Sequence, residues 1–131
     1  MTHPVDCILL VEPDLAVRHP LAQYLRECGY RVFEAVDSNE ATLILQDAKS
    51  PVSVVLADVD CPGKLNGFQL SNWIRERELT CQVLLAGSLE RLAEKARDLC
   101  EGAPTVATPY SHQTLLRKIK SLVAQRDRSA R

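Results

Sequence analysis

Glu12, Asp14 and Asp58 are acids placed where an apolar run stops. "CILLVE" (7–12) and "VSVVLAD" (52–58) each end in a carboxylate, and "VEPD" sets a further acid two residues beyond the first. Apolar runs of this length fit strands buried on both faces, which would bring the acids to strand ends. Three carboxylates at one rim repel one another unless a hard cation or a proton lies among them. Oxygen donors of this kind suit Mg²⁺, which takes few protein ligands and keeps several waters. One acid at a strand end is ordinarily a solvated cap; three from two neighbouring strands support a site. Pro13, between Glu12 and Asp14, brings neither charge nor a backbone donor. The spacing points to an acidic cation pocket or to the remains of one.

The elements that must position these acids alternate along the chain. After the first strand, Val17, Leu21, Tyr24, Leu25 and Cys28 recur at helical spacing up to Gly29, with Pro20 expected to delay or kink the helix. "YRVFEA" (30–35) alternates as a strand. Asp37 and Glu40 form a capping box for a second helix, and Asn66-Gly67 opens a third after the run ending at Asp58. "QVLLAG" (82–87) is a strand before a helix on Leu89, Ala93, Ala96 and Leu99. A weaker strand, "TVAT" (105–108), precedes a last helix capped by Ser111. This pattern implies a (βα)₅ α/β fold: a doubly wound, five-stranded parallel sheet with its site at the carboxyl ends of the strands. Residues 1–124 are expected to form the one domain, followed by a flexible charged tail over 125–131.

Composition excludes several function classes. The 131 residues are 46% hydrophobic and 25% charged with a formal net charge of −1, which gives no general attraction to nucleic acid or an anionic membrane. No apolar run reaches the length of a membrane span, and "MTHPVDC" lacks a signal peptide's apolar stretch, so a cytoplasmic location is expected. The five cysteines have no metal-ligand spacing. Cys7, Cys28, Cys81 and Cys100 fit small core residues of a reduced protein. Cys61, beside the acids, fits a loop-filling residue, since neighbouring carboxylates disfavour a reactive thiolate.

Taken together, "ILLVEPDLAVR", "VLADVDCPGKLNG" and "VATPY" resemble the receiver domain of bacterial two-component response regulators, over nearly the whole chain. The resemblance implies the CheY-like fold with flavodoxin-like strand order 2-1-3-4-5. It places Asp58 at the phosphoacceptor position, with Pro62 four residues later and a loop to Gly67 one residue longer than the commonest spacing. In such a domain the aspartate takes a phosphoryl group from a phosphohistidine, assisted by Mg²⁺, a lysine and a hydroxyl. An aromatic side chain then follows the hydroxyl's loop inward.

This sequence departs from that pattern at Pro13, where a second metal-binding acid is usual, and at Ala86, where the hydroxyl belongs. It departs again at Thr105, near the aromatic position, and at Thr108, in place of the lysine. Ser88 lies two residues past the hydroxyl position, and Lys64 is the cation nearest Asp58 in sequence. A lysine ~4 Å from the phosphoryl group contributes on the order of 4 kcal/mol at an effective dielectric of ~20. Each ~1.4 kcal/mol is about tenfold in rate, so phosphorylation is expected to be slowed by several decades. The expected Mg²⁺ site is weak or absent, with Glu12, Asp58 and a contribution from Asp14 as its ligands.

The implied function is therefore a signalling module, not an enzyme, acting by protein–protein contact with little phosphorylation. Its alternative is an ordinary receiver relaying a phosphoryl group through Asp58. Expected partners are a sensor histidine kinase or phosphotransfer protein, a downstream protein, and a second copy through the face of the fourth and fifth helices. No effector segment is evident in the sequence, so output is expected through a partner. A flavin- or nucleotide-binding function on the same sheet would need a glycine- or hydroxyl-rich phosphate loop, and "VEPDLAV" offers acids instead.

Overall fold

Cys7–Val11 forms β1, and all five of its side chains are buried. An apolar strand covered on both faces needs helices on either side, and the chain supplies them. The computed structural model describes residues 7–103 and 109–129. After β1 come α1 (Leu15–Glu27), β2 (Arg31–Ala35), α2 (Ser38–Gln46), β3 (Val54–Asp58) and α3 (Gly67–Glu76), then β4 (Gln82–Ala86), α4 (Leu89–Glu101) and α5 (His112–Ser129). The described residues make an α/β fold, a four-stranded parallel sheet in the order β2-β1-β3-β4 with five helices. The strand expected at 105–108, with Thr105 and Thr108, lies outside the described residues.

Alternation along the strands divides the core into two layers. Ile8, Leu10, Val54 and Leu56 pack on one face with Leu21 and Leu25 of α1, Ala93 and Ala96 of α4, and Leu115 and Ile119 of α5. Leu9, Val11, Val55 and Ala57 pack on the other with Ala41 and Leu45 of α2 and Leu70 and Ile74 of α3. α4 thus shares a face with α1 and α5. A right-handed crossover from β4 to a strand beyond it would carry α4 to the α2–α3 face instead.

A disulfide between Cys28 and Cys100 fastens α4 to α1. This corrects the expectation of reduced core cysteines: both are buried, as expected, but they are bonded to each other. Their separation of 72 residues carries no spacing signal. Cys7, Cys61 and Cys81 take no part in a disulfide.

Helix starts follow local chemistry. Asp14 caps α1 by accepting the Ala16 N–H at 3.0 Å, and Asp37 caps α2 by accepting that of Glu40 at 2.9 Å. Glu40 reaches back not to Asp37 but to the N–H of Val36, at 2.7 Å. Asn66 and Gln69 exchange two bonds as a full capping box on α3. Pro20 does not delay α1, which begins at Leu15 because the Asp14 cap sets the first turn upstream of the proline. α5 continues to Ser129, five residues past the boundary drawn from the sequence at 124.

Leu56, fully buried in a central strand, tests this layering. Leu56→Ala is expected to lower stability by about 2–5 kcal/mol, measured by urea unfolding. The dependence on urea should keep the slope of the parent protein.

Candidate functional site

Glu12 and Asp58 leave neighbouring strands at the same end of the sheet. β1 pairs Val11 with Ala57 of β3, so Glu12 and Asp58 come next in register. Glu12 is only 5% exposed. Its N–H donates to the Ala35 carbonyl at 2.9 Å, and its Oε2 accepts the Asp14 N–H at 2.8 Å. Burial pushes the Glu12 carboxyl above the ordinary carboxylate range, and the nearby charges of Asp58 and Asp14 add to this. The Asp14 N–H and the Arg18 guanidinium act the other way. Arg18 is held beside it, donating to the Glu12 carbonyl at 2.9 Å and to Glu34 at 3.0 Å.

Asp58 ends β3 half-buried, and its Oδ1 accepts the Asp60 N–H at 2.8 Å. Asp14 is drawn off in two directions. Its Oδ1 caps α1, and its carboxylate also pairs with the guanidinium of Arg126, near the end of α5. Among the described residues, no group of three or more His, Cys, Asp or Glu side chains is placed to hold a metal ion. Of the three acids read from the sequence, Asp14 is engaged as a cap and by Arg126. For Mg²⁺ the remaining donors are Glu12 and Asp58, each with one oxygen already accepting an N–H. Pro13, which is exposed, has no side-chain oxygen to add. Two carboxylates are within the one or two that Mg²⁺ ordinarily draws from a protein, the rest of its shell being water and phosphate oxygens.

The residues around Asp58 are settled by the neighbouring elements. Ala86 lies opposite Asp58 in the β3–β4 register and is 3% exposed, so a buried methyl faces this end of the site. The Ser88 hydroxyl is committed to capping α4, accepting the Arg91 N–H at 3.1 Å. Lys64 is exposed, and its backbone N–H donates to Asn39 Oδ1 at 3.2 Å. Cys61 is buried, as a loop-filling residue should be. Burial pushes its thiol pKa up, and the charges of Asp58, Asp37, Asp60 and Glu12 push it further, which disfavours the reactive thiolate.

The loop after Asp58 is clamped onto the start of α2. Ser38, buried, donates its N–H to the Pro62 carbonyl at 2.9 Å and accepts the Leu65 N–H on Oγ at 3.0 Å. Gly63, at φ +109°, lies so close that a Cβ there would come within 2.3 Å of Ser38 Oγ. At Gly67 a Cβ would come within 2.6 Å of the Asp58 carbonyl oxygen. The backbone bearing Asp58 is thus held from α2 and from α3. Sequence reasoning missed Ser38 and Arg126 as parts of this site. Ser38 follows a capping aspartate, and Arg126 sits in a charged run that reads as solvated.

A profile of the response regulator receiver domain matches residues 8–120. The chain belongs to the response regulator receiver domain family. It is 31% identical over 119 residues to the aerobic respiration control protein ArcA of Escherichia coli (strain K12), covering 90% of this chain and 48% of that protein. The chain spans about half the length of the curated relatives it matches in this way. Among solved structures, the receiver domain of the hybrid histidine kinase CckA is 29% identical, with a TM-score of 0.53 over 72% of this chain and 98% of that one. The chemotaxis response regulator CheY4 of Vibrio cholerae shares the fold, at 24% identity and a TM-score of 0.56 over 90% of this chain and 98% of that one. The receiver assignment expected from the motifs therefore stands.

Glu12 links the site to stability. Because its folded-state pKa is raised, it contributes stability at low pH that is lost as pH rises from the ordinary carboxylate range through the raised value. Glu12→Gln keeps an oxygen for the Asp14 N–H and removes that loss. In metal-free buffer the variant should melt higher than the parent protein at pH 7. The difference should close at about pH 3, below the ordinary carboxylate range, as scanning calorimetry would show.

Proposed function

We propose that this receiver domain works in phosphorelay signalling mainly by protein–protein contact, with Asp58 at the phosphoacceptor position and little or no phosphorylation. The observation that carries this is the set of side chains at the rim: two carboxylates, Glu12 and Asp58, with exposed Pro13 on one side and buried Ala86 on the other. Phosphoryl transfer would form a bond from an Asp58 oxygen to phosphorus as the phosphorus–nitrogen bond of a phosphohistidine breaks. The incoming dianion would meet Glu12 and Asp14 without a nearby compensating lysine, since Thr108 stands at that position in the sequence. Electrostatic stabilisation of such transferring groups is ordinarily a large part of catalysis, and here it is thin. Mg²⁺, bound weakly or not at all through Glu12 and Asp58, would offset charge on the phosphoryl oxygens.

On this proposal residues 1–124 are the receiver and 125–131 a tail whose first five residues extend α5, the location is cytoplasmic, and the module signals without enzymatic turnover. Its partners are a sensor histidine kinase or phosphotransfer protein, a downstream protein, and a second copy through the α4–α5 face. Direct contact with nucleic acid or membrane plays no part. The alternative, an ordinary phosphorylatable receiver, draws support from half-buried Asp58 and from exposed Lys64 on the same loop.

Intact-mass analysis after incubation with acetyl phosphate and Mg²⁺ separates the two. Most of the protein should stay unmodified under conditions that saturate an intact receiver; rapid labelling of Asp58 would establish the alternative. Restoring the pocket with Pro13→Asp, Ala86→Thr and Thr108→Lys should bring Mg²⁺-dependent phosphorylation that vanishes on Asp58→Asn. The gain should exceed the sum of the single changes, since all three act on one phosphoryl group. Because Ala86 is buried, the Pro13→Asp, Thr108→Lys pair guards against overpacking by threonine.

A further inference from the structure

α4 is attached to the fold differently at its two ends. Its first turn, capped by Ser88, leaves β4 just past Ala86, opposite Asp58. Its last turn is fastened to α1, where Cys100 is bonded to the C-cap residue Cys28 with α-carbons 5.4 Å apart. Beside that bond, the Tyr30 hydroxyl donates to the Leu99 carbonyl.

We propose that Cys28 and Cys100 are a reversible thiol–disulfide exchange site whose state sets how firmly α4 is held on the α1 face. The buried side chains of α4 are Leu92, Ala93, Ala96 and Cys100, a shallow apolar face for a helix of 13 residues. The ion pairs along the helix, Arg91–Glu94, Arg97–Asp98 and Arg97–Glu101, are exposed and hold it to nothing else. Its pair with α5, Lys120–Glu90, is exposed on both sides and so worth little. Leu89 and Leu99 add partly buried packing, and the disulfide is the covalent tie that joins the end of this helix to α1. This inference rests on the cytoplasmic location proposed above, since disulfides in reducing compartments are usually transient and redox-sensing.

The exchange balances with a small-molecule disulfide as oxidant. One cysteine thiolate attacks a sulfur of the oxidant and expels a thiolate, leaving a mixed disulfide on the protein. The second cysteine, deprotonated, attacks the protein sulfur of that mixed disulfide, closing the Cys28–Cys100 bond and expelling the second thiolate. Two electrons pass from the cysteine pair to the oxidant, and its two thiolates take up the two protons lost. A small dithiol runs the sequence backwards. Both sulfurs lie in residues no more than 2% exposed, so each direction requires local opening of the α1–α4 seam.

The full chain, equilibrated with oxidised glutathione or with reduced dithiothreitol, would be alkylated under denaturing conditions and weighed intact. Oxidation should leave three alkylated cysteines, Cys7, Cys61 and Cys81, and a cross-linked Cys28–Cys100 peptide; reduction should expose all five. Reoxidation should restore the first state. Amides of α4 should exchange with solvent on the order of tenfold faster after reduction, while those of β1 keep their rates. Cys28→Ala should show the fast α4 exchange in either buffer; if it does not fold, the reduced parent protein gives the same comparison. Failure of oxidised glutathione to form the pair, resistance of the bond to dithiothreitol, or equal α4 exchange in both states would overturn the proposal. None of these outcomes depends on whether Asp58 is phosphorylated.

Discussion

Burial of β1 on both faces governs the rest of this molecule, since no residue from Cys7 to Val11 is more than 1% exposed. Such a strand has one workable register. Sliding it by one residue toward its start would draw the Glu12 carboxylate into the sheet, where an uncompensated charge is costly. Hydrophobic burial therefore does more than stabilise. It sets Glu12 at the rim, next in register to Asp58, and it calls for helices on both sides. The loop following Asp58 can then be longer than usual because Ser38, at the start of α2, offers it an N–H and a hydroxyl to bind.

The acids at that rim each have local hydrogen-bond or ion-pair partners. Glu12 accepts the Asp14 N–H, Asp58 accepts the Asp60 N–H, and Asp14 accepts the Ala16 N–H while pairing with Arg126. Backbone donors fix these carboxylates without any ligand present. Glu12 bears the remaining strain of the arrangement, as its raised pKa records.

Much of this could be read from the sequence because it is local. Apolar runs located β1 and β3, and the helical spacings after them located α1 to α4 to within a turn, with α5 running five residues past its expected end. Capping residues set helix starts well enough that Asp14 outweighed Pro20. What could not be read is long-range. The depth of Glu12 depends on how the surrounding loops fold over it. Cys28 and Cys100 are joined across 72 residues, and Arg126 reaches Asp14 from the far end of the chain. The side of the sheet that α4 occupies is likewise a tertiary choice that helical periodicity does not carry. Periodicity reports which residues face inward, not which layer they face.

The substitutions at Pro13 and Thr108, taken on the receiver pattern, have a common electrostatic logic. Pro13 stands where an acid is usual, and Thr108 where a lysine is usual. One loses a negative charge and the other a positive one, so the formal charge of the resting pocket is unchanged by the pair. Either change alone would leave it unbalanced by a full unit, in a rim where Glu12 is already desolvated. On the proposed function, the pair would cost the resting fold little, and the difference would show only when a phosphoryl dianion arrived. The incoming charge would then lack both the ligand that would recruit a cation and the ammonium that would face it.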